Sequence, residues 1–301
     1  MTDMPRLGIA IVHYQAETLL AECLRRLQAS EMADFLVCVV DCGSREGLHR
    51  LVPADRRFQI ADPGDNIGFA AGTNLAFDRL GDATGLLLSL NPDVLVEPDT
   101  IGQVVQELEA DPGVGAVTCQ LLLPSGSIDP ACRRSDPTPF SALSKLLGLQ
   151  KLLPNSQLFG RYNLTWLDPA APHEIGSGTG AFLLIRREAL RAAGGKLDER
   201  FFLYGEDLDL CRRIRQAGYR IVYTPAARAT HVKGSGRVRP PHATVQFYKA
   251  MWTYYRKWGR FRSNPLVLVP LLVALMGLGA LEGLRNAIKS RWPKHRSGAQ
   301  A

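Results

Sequence analysis

Acidic residues almost vanish after Asp209: positions 210–301 hold one, Glu282, against 18 Lys and Arg. The first 209 residues hold 18 Lys and Arg against 28 Asp and Glu, so the net charge of +7 conceals an acidic body and a strongly basic tail. Such an asymmetry points to an anionic surface partner, either nucleic acid or an anionic membrane leaflet. Metal-type cysteine spacing is also missing. Cys23, Cys38, Cys42, Cys119, Cys132 and Cys211 form no CxxC pair and no Cys/His cluster, which argues against a zinc module or disulfide framework and for reduced core thiols in a cytosolic protein. No secretory signal is visible, because the first apolar stretch, Leu7–Val12, is far shorter than a signal h-region. Internal repeats and low-complexity tracts are lacking too.

What is present begins with size. With 301 residues, 46% of them hydrophobic, the chain can build one large α/β domain with an appendage, or two small domains. The tail carries the longest apolar run. No charge falls between Ser263 and Leu281, a length at the lower edge of the roughly 20 residues that span a bilayer. Residues 248–262, just before it, alternate basic and aromatic side chains; Tyr and Trp favour the headgroup layer, and Lys and Arg are drawn to anionic lipid. The tail therefore reads as membrane-associating and not as a nucleic-acid arm. The competing reading is a core helix with a solvated basic face, since the run is short and contains Pro270.

Through the first half, short continuous apolar runs alternate with helix-period segments. Strands are expected at Leu7–Val12, Leu36–Val40 and Leu86–Leu90, with helices over about Glu17–Gln28, after Gly72, and over about Asp99–Ala110. Strands buried on both faces and alternating with helices imply an α/β, mostly parallel, doubly wound sheet. In such sheets ligands bind beyond the carboxyl ends of the strands, which makes strand ends a search list. Periodicity weakens between Leu121 and Ile175, where a short helix near Ser141–Leu149 is expected. It resumes at Ala181–Ile185, with helices over Arg187–Ala193 and Glu206–Ala217 and a strand at Arg220–Tyr223.

Asp41 closes the second strand. It is either a capped structural carboxylate or a ligand contact; the glycine-spaced loop Asn66-Ile67-Gly68-Phe69-Ala70-Ala71-Gly72, opening a helix, favours the second reading. Asn91-Pro92-Asp93 puts a carboxylate on a rigid turn, where it either ligates a hard cation such as Mg²⁺ or Mn²⁺ or simply ends an Asx turn. Glu206, Asp207 and Asp209 begin a helix whose dipole favours their ionised forms while their crowding opposes it, the balance expected of a general base. Asp209 stands four residues before Arg213 and is assigned a structural pairing first. His231 follows a strand, as a structural residue or a ligand, and Lys233, Arg237 and Arg239 flank Gly234-Ser235-Gly236 in a basic loop suited to a diphosphate.

Taken in order, IVHYQ at 11–15, VVDCGSREG at 39–47, DNIGFAAGTN at 65–74, LNPDV at 90–94, GSGTGAFLLIRRE at 176–188, the segment 194–236 containing LYGEDLDLCRR, and YYRKWG at 254–259 resemble the family 2 glycosyltransferases of the GT-A fold. PACRRSDPTPF at 130–140 and GRYNLTWLD at 160–168 resemble the bacterial rhamnosyltransferase branch.

By position, the resemblance implies that Asp41 reads a pyrimidine base, with Tyr14, Asn66, Gly68, Phe69 and Asn91 around the nucleotide sugar. Asp93 would hold Mg²⁺ or Mn²⁺ with His231 beside it, Asp207 would be the base, and Glu206, Asp209 and Arg134 would contact the acceptor or support the site. It also implies a glycosyltransferase domain over 1–240, with a nucleotide-sugar half to about 120 and an acceptor half from 121, followed by a helical tail over 241–301. The implied reaction is inverting transfer of L-rhamnose from dTDP-L-rhamnose to a lipid-linked saccharide at the cytoplasmic face of the plasma membrane. The tail independently supports the lipid-linked acceptor. Another donor, UDP-galactose or UDP-glucose, is the main alternative. A non-catalytic nucleotide-sugar-binding or membrane-scaffold protein would not need Asp93 and Asp207 together, and a nucleotidyltransferase would show a basic glycine-rich loop that residues 8–15 lack. Two positions depart from the commoner family pattern: Cys42 stands where Asn is commoner, and the NPD form of the acidic motif lacks the first acid, which leaves a metal fewer protein carboxylates.

Overall fold

The computed structural model describes residues 6–44, 47–82, 84–138, 140–141, 144, 148–233, 241–259 and 277. The chain divides into two compact units, one of Met1–Glu199 with Glu206–Lys233 and one of Arg200–Gly205 with Gly234–Ala301.

The first unit is built on a nine-stranded sheet. Strands β1 (Leu7–His13), β2 (Phe35–Asp41), β3 (Phe58–Ala61) and β4 (Leu86–Leu90) pair in parallel in the order β3-β2-β1-β4. Their apolar runs are continuous because helices cover both faces of a parallel sheet. Helix α1 (Glu17–Gln28) buries Leu20, Cys23, Leu24 and Leu27, the stripe that a 3.6-residue period brings to one side. Helix α2 (Phe69–Leu80) starts three residues before the glycine expected to precede it. Gly68, at φ 85°, makes the turn into the helix. Gly72 lies inside and serves packing: a Cβ there would stand 3.0 Å from both Cγ atoms of Val12 on β1.

Strand β5 (Val94–Val96), helix α3 (Thr100–Glu109), strand β6 (Val114–Leu122), the one-turn helix α4 (Leu149–Leu152) and strand β7 (His173–Glu174) follow. Then come β8 (Phe182–Arg186), α5 (Arg187–Ala192), α6 (Glu206–Gln216) and β9 (Arg220–His231). On α3 the expected face of Ile101, Val104, Val105 and Leu108 is buried.

The sheet is mixed, not mostly parallel. Strand β8 enters antiparallel between β4 and β6, with Phe182 opposite Leu90 and Arg186 opposite Leu86. The chain returns to the sheet at the edge where β4 leaves it, as the 2.9 Å bond from Asn91 N to Ala181 O shows, so β8 has to run backwards. Strand β9 is also longer than the stretch Arg220–Tyr223 that its apolar pattern marks. A register shift skips Pro225–Ala227 between the pairs Cys119 with Thr224 and Gln120 with Arg228, and pairing then continues to His231. Pro225 sits in this bulge. All six cysteines are free and buried, as reduced core thiols should be.

In the second unit, helix α7 (Pro241–Trp258) buries Ala243, Ala250, Tyr254 and Tyr255, and its Phe247 packs edge-on against Tyr204 with ring centroids 6.0 Å apart. Among the described residues no helix is long and apolar enough to cross a membrane. The uncharged stretch 263–281, apart from Gly277, lies outside the described residues, as does the basic loop 234–240.

Candidate active site

Because β1, β2 and β4 are parallel neighbours, the sequences that follow them emerge at one edge of the sheet: Tyr14 after β1, Asp41 at the end of β2, and Asn91-Pro92-Asp93 after β4. Asp41 Oδ1 accepts from Gly43 N at 3.1 Å and Ser44 N at 2.7 Å. Burial opposes its ionisation, but the hydrogen bonds from Ser44 and Gly43 prevail and hold its carboxyl below the ordinary range. Asp41 thus caps a turn and remains an ionised acceptor. The Tyr14 ring lies over Gly43, where a Cβ would come within 3.1 Å of it, and stays largely exposed. An open aromatic face beside a fixed acceptor suits a flat heterocycle with an N–H.

His13, not singled out from the sequence, is fully buried beneath this pair. Its Nε2 accepts from Ala16 N at 3.0 Å, which places the proton on Nδ1, 3.7 Å from Asp41 Oδ1. Burial lowers its pKa against the pull of Glu17 and Asp41, so the ring is neutral.

The loop before α2 is internally fastened: Asn66 Oδ1 accepts from Gly68 N at 3.1 Å. Phe69, the first residue of α2, packs its ring against Gly180. A Cβ on Gly180 would lie 3.0 Å from Phe69 Cε1 and 3.5 Å from Glu206 Oε1, so a glycine is what lets these two side chains approach. The loop and the acidic helix α6 therefore meet at one backbone position.

The NPD turn is backed by α1, whose Cys23 thiol donates to Asn91 O at 3.9 Å. Burial pushes that thiol up to about 12, with the Asp93 charge adding to it, so it stays a neutral donor. Asn91 Oδ1 and Asp93 Oδ1 are both buried without a hydrogen-bond partner. Facing Asp93 Oδ1 at 3.4 Å is His231 Nε2, brought there because β5 and β9 pair Val94 with His231. The other ring nitrogen, Nδ1, is bound to Asp129 Oδ2 at 2.7 Å, and Lys233 Nζ lies 2.7 Å from the same carboxylate. Burial disfavours the imidazolium, but Asp129 and Asp93 outweigh it and raise the His231 pKa. Asp129 is held well below the carboxylate range: burial opposes this, and His231 and Lys233 decide it. Asp129 was invisible in the sequence, where it sits in a weakly periodic stretch before Pro130.

Helix α6 begins with the acidic cluster. Asp207 Oδ2 accepts from Arg134 Nη2 at 2.8 Å and from Gly180 N at 3.0 Å, and Oδ1 accepts from Leu208 N at 2.7 Å. Arg134 also donates to Gly178 O, and its Nε is buried and unpartnered. Burial works against this guanidinium, yet the Asp207 charge keeps its pKa above the ordinary arginine value. Glu206, beside Asp207, is buried with Oε2 unpartnered, and burial together with the Asp207 charge raises its pKa far above the carboxylate range. Asp209 is fully buried and bonded to Arg213 Nε at 2.9 Å; Arg213 also reaches Lys196 O at 2.9 Å, fastening α6 to the preceding turn.

The structure thus brings Tyr14 and Asp41 together, then Phe69 with Glu206 through Gly180, then Asp93 with His231, and Arg134 with Asp207. Among the described residues no group of three or more His, Cys, Asp or Glu is arranged to hold a metal alone. The available donors are Asp93 Oδ1 and His231 Nε2.

Comparison with known proteins agrees with this architecture. The N-acetylglucosaminyl-diphospho-decaprenol L-rhamnosyltransferase of Mycobacterium tuberculosis (strain ATCC 25618 / H37Rv) is 28% identical over 251 residues, 80% of each chain. Among solved structures, GalNAc-T7 with UDP, GalNAc and Mn²⁺ superposes with a TM-score of 0.60 at 13% identity, over 97% of this chain and 59% of that one. The mannosyltransferase PcManGT from Pyrobaculum calidifontis, in complex with GDP-Man and Mn²⁺, gives 0.53 at 18% identity, over 98% of this chain and 83% of that one. These likenesses establish a GT-A-like mixed α/β fold. Residues 5–260 match the family described as Glycosyltransferase like family 2, and the chain belongs to that glycosyltransferase family.

Proposed function

We propose that this enzyme transfers a deoxyhexose, L-rhamnose from dTDP-L-rhamnose, with inversion onto a lipid-linked saccharide in cell-surface polysaccharide assembly. The observation that carries the reading is the buried Asp93 Oδ1, which accepts no hydrogen bond and stands 3.4 Å from His231 Nε2, at the sheet edge where Asp41 and Tyr14 also lie. Similarity to the decaprenol-linked rhamnosyltransferase supports the donor sugar and the acceptor class.

The residues fit a divalent cation. A carboxylate oxygen with no hydrogen bond faces an imidazole nitrogen, and the other imidazole nitrogen is held by a carboxylate, the support that histidine ligands generally receive. Asp93 and His231 would hold Mg²⁺ or Mn²⁺, which when bound would supply charge stabilisation to the leaving nucleoside diphosphate.

Asp41 and Tyr14 would orient the base, Asp41 accepting the imide N–H that thymine and uracil share. That shared group is why a UDP-hexose remains the alternative donor. At the acceptor, Asp207 would take the proton of the attacking hydroxyl as its oxygen bonds to the anomeric carbon and the bond to diphosphate breaks. Arg134 and Gly180 occupy Oδ2 and Leu208 N one lone pair of Oδ1, which leaves the second Oδ1 lone pair for that proton. The basic tail 241–301 would keep the enzyme at the cytoplasmic face of the plasma membrane, where the acceptor resides.

A donor panel tests this: dTDP-rhamnose, UDP-galactose and UDP-glucose, each with and without Mn²⁺ or Mg²⁺, scored by thermal shift and turnover. Metal-dependent stabilisation and turnover with dTDP-rhamnose are expected. No metal-dependent response to any nucleotide sugar would overturn the proposal.

A further inference from the structure

Between β6 and β7 the first unit exposes large apolar side chains where a solvated loop would carry polar ones. Leu152 is 75% exposed, Leu158 54%, Leu153 49%, Phe140 45% and Trp166 38%. The hydrogen bonding gathers them. Thr165 Oγ1 donates to Pro154 O at 2.5 Å, and Thr165 N to Gly160 O at 3.2 Å, closing residues 154–165 into a loop whose two ends carry Leu153 and Trp166. Phe140 packs on Phe159, the neighbour of Leu158, with ring centroids 6.0 Å apart, and Ser144 Oγ donates to Phe159 O at 3.3 Å. Part of the loop's backbone is thus satisfied internally, which lowers the cost of leaving water.

Charge narrows the partner. Between Pro137 and Leu167 the sequence holds Lys145, Lys151 and Arg161 and no acidic residue, although the first 209 residues are acidic as a whole. Exposed leucine and phenylalanine, a tryptophan and a stretch of sequence whose charged residues are all basic form the composition that seats in the interface of an anionic bilayer.

We infer that the exposed side chains of Phe140, Leu152, Leu153, Leu158 and Trp166 form a membrane-contacting surface, separate in sequence from the basic tail, that rests on an anionic lipid leaflet. Its placement suits the proposed reaction. Tyr162 O accepts from Ser135 N at 2.8 Å, and Ser135 follows Arg134, the residue that holds Asp207. A lipid-seated loop would so be hydrogen-bonded to the residue that follows the support of the base. Only this purpose rests on the proposed lipid-linked acceptor; the surface itself is tested without any activity measurement.

The six native cysteines are buried, so the full-length Leu158→Cys protein can be labelled at that position with an environment-sensitive fluorophore. Phosphatidylcholine vesicles with and without phosphatidylglycerol are then titrated. A blue-shifted, several-fold brighter emission with the anionic vesicles alone, quenched by spin-labelled lipid, is expected. In the unlabelled full-length chain, Leu152→Glu with Leu153→Glu should weaken binding to the same vesicles about tenfold. Vesicle binding with no change at position 158 would overturn the inference, because the tail alone would then be docking. So would an equal response to neutral vesicles, the absence of any vesicle binding, or a concentration-dependent shift without lipid, the mark of a second copy covering the patch.

Discussion

Arg134 Nη2 and Asp207 Oδ2, 73 residues apart in sequence, form a buried ion pair at 2.8 Å. Each side chain is about nine-tenths covered, so each charge depends on the other for most of what water would otherwise supply. The proposed base is therefore a positioned group. Its carboxylate cannot rotate toward an acceptor without breaking bonds to Arg134 and Gly180.

Breaking the pair from one side should be costly. Arg134→Met leaves a buried carboxylate uncompensated and is expected to destabilise the protein by about 3–5 kcal/mol. Adding Asp207→Asn should recover most of that loss. Urea unfolding of the two single variants and the double variant measures the coupling, and additive losses would show that the two side chains act independently.

Asp207→Asn by itself should separate chemistry from binding. Removal of a general base is expected to lower turnover by roughly 10²–10⁴-fold, while nucleotide affinity measured by calorimetry stays near that of the parent. Unchanged turnover would remove Asp207 from the proposed role.

Asp129 offers a test that does not depend on turnover. Its bond to His231 Nδ1 orients the imidazole toward Asp93. Asp129→Asn should weaken Mn²⁺ binding in the presence of nucleoside diphosphate by about 10–100-fold, read by calorimetry. Equal Mn²⁺ affinity in the two proteins would confine Asp129 to a structural part.

Glu206 gives the fold a pH dependence. A carboxyl whose pKa is raised by burial and by Asp207 binds more protons folded than unfolded, so its contribution favours folding at low pH. That contribution is complete below the unfolded value near 4.5 and is lost as pH rises through the raised folded value. Glu206→Gln removes the titration. Relative to the parent, its stability should rise between about pH 5 and pH 8, by on the order of a few kcal/mol. Chemical denaturation at several pH values checks this, and parallel curves for the two proteins would contradict it.

Gly72 tests the contact of α2 with β1. Gly72→Ala puts a methyl 3.0 Å from both Val12 Cγ atoms and should cost about 1–3 kcal/mol through overpacking. Val12→Ala in the same chain should relieve much of that. If Gly72→Ala is instead stabilising, as an exposed helix site would predict, the packing contact is absent.

Three of the four parallel strands were legible in the sequence because strands covered on both faces are apolar almost throughout, as Leu7–Val12, Leu36–Val40 and, but for Ser89, Leu86–Leu90 are; the short β3 was not marked. The stripes of α1 and α3 were legible for the same physical reason, since burial of one helix face imposes a period. Asp41, Asp93 and Asp207 could be singled out because local signals mark strand ends and helix starts. The start of α2 was misplaced, because a glycine that makes a turn and one that makes room for a neighbouring strand look alike in sequence. Strand β9 was ended at Tyr223, because a bulge needs its partner strand to be seen.

The amino-acid order alone, then, determined the alternation of buried strands and amphipathic helices, the acidic strand ends and helix start, and the division into an acidic body and a basic tail. Each follows from local spacing and composition. The tertiary structure alone decided that β8 runs against β4, that Arg134 meets Asp207, and that Asp129, 102 residues from His231, orients it. Such pairings leave no local trace, because a hydrogen bond across the fold constrains where two side chains end up and not what lies beside them in the chain.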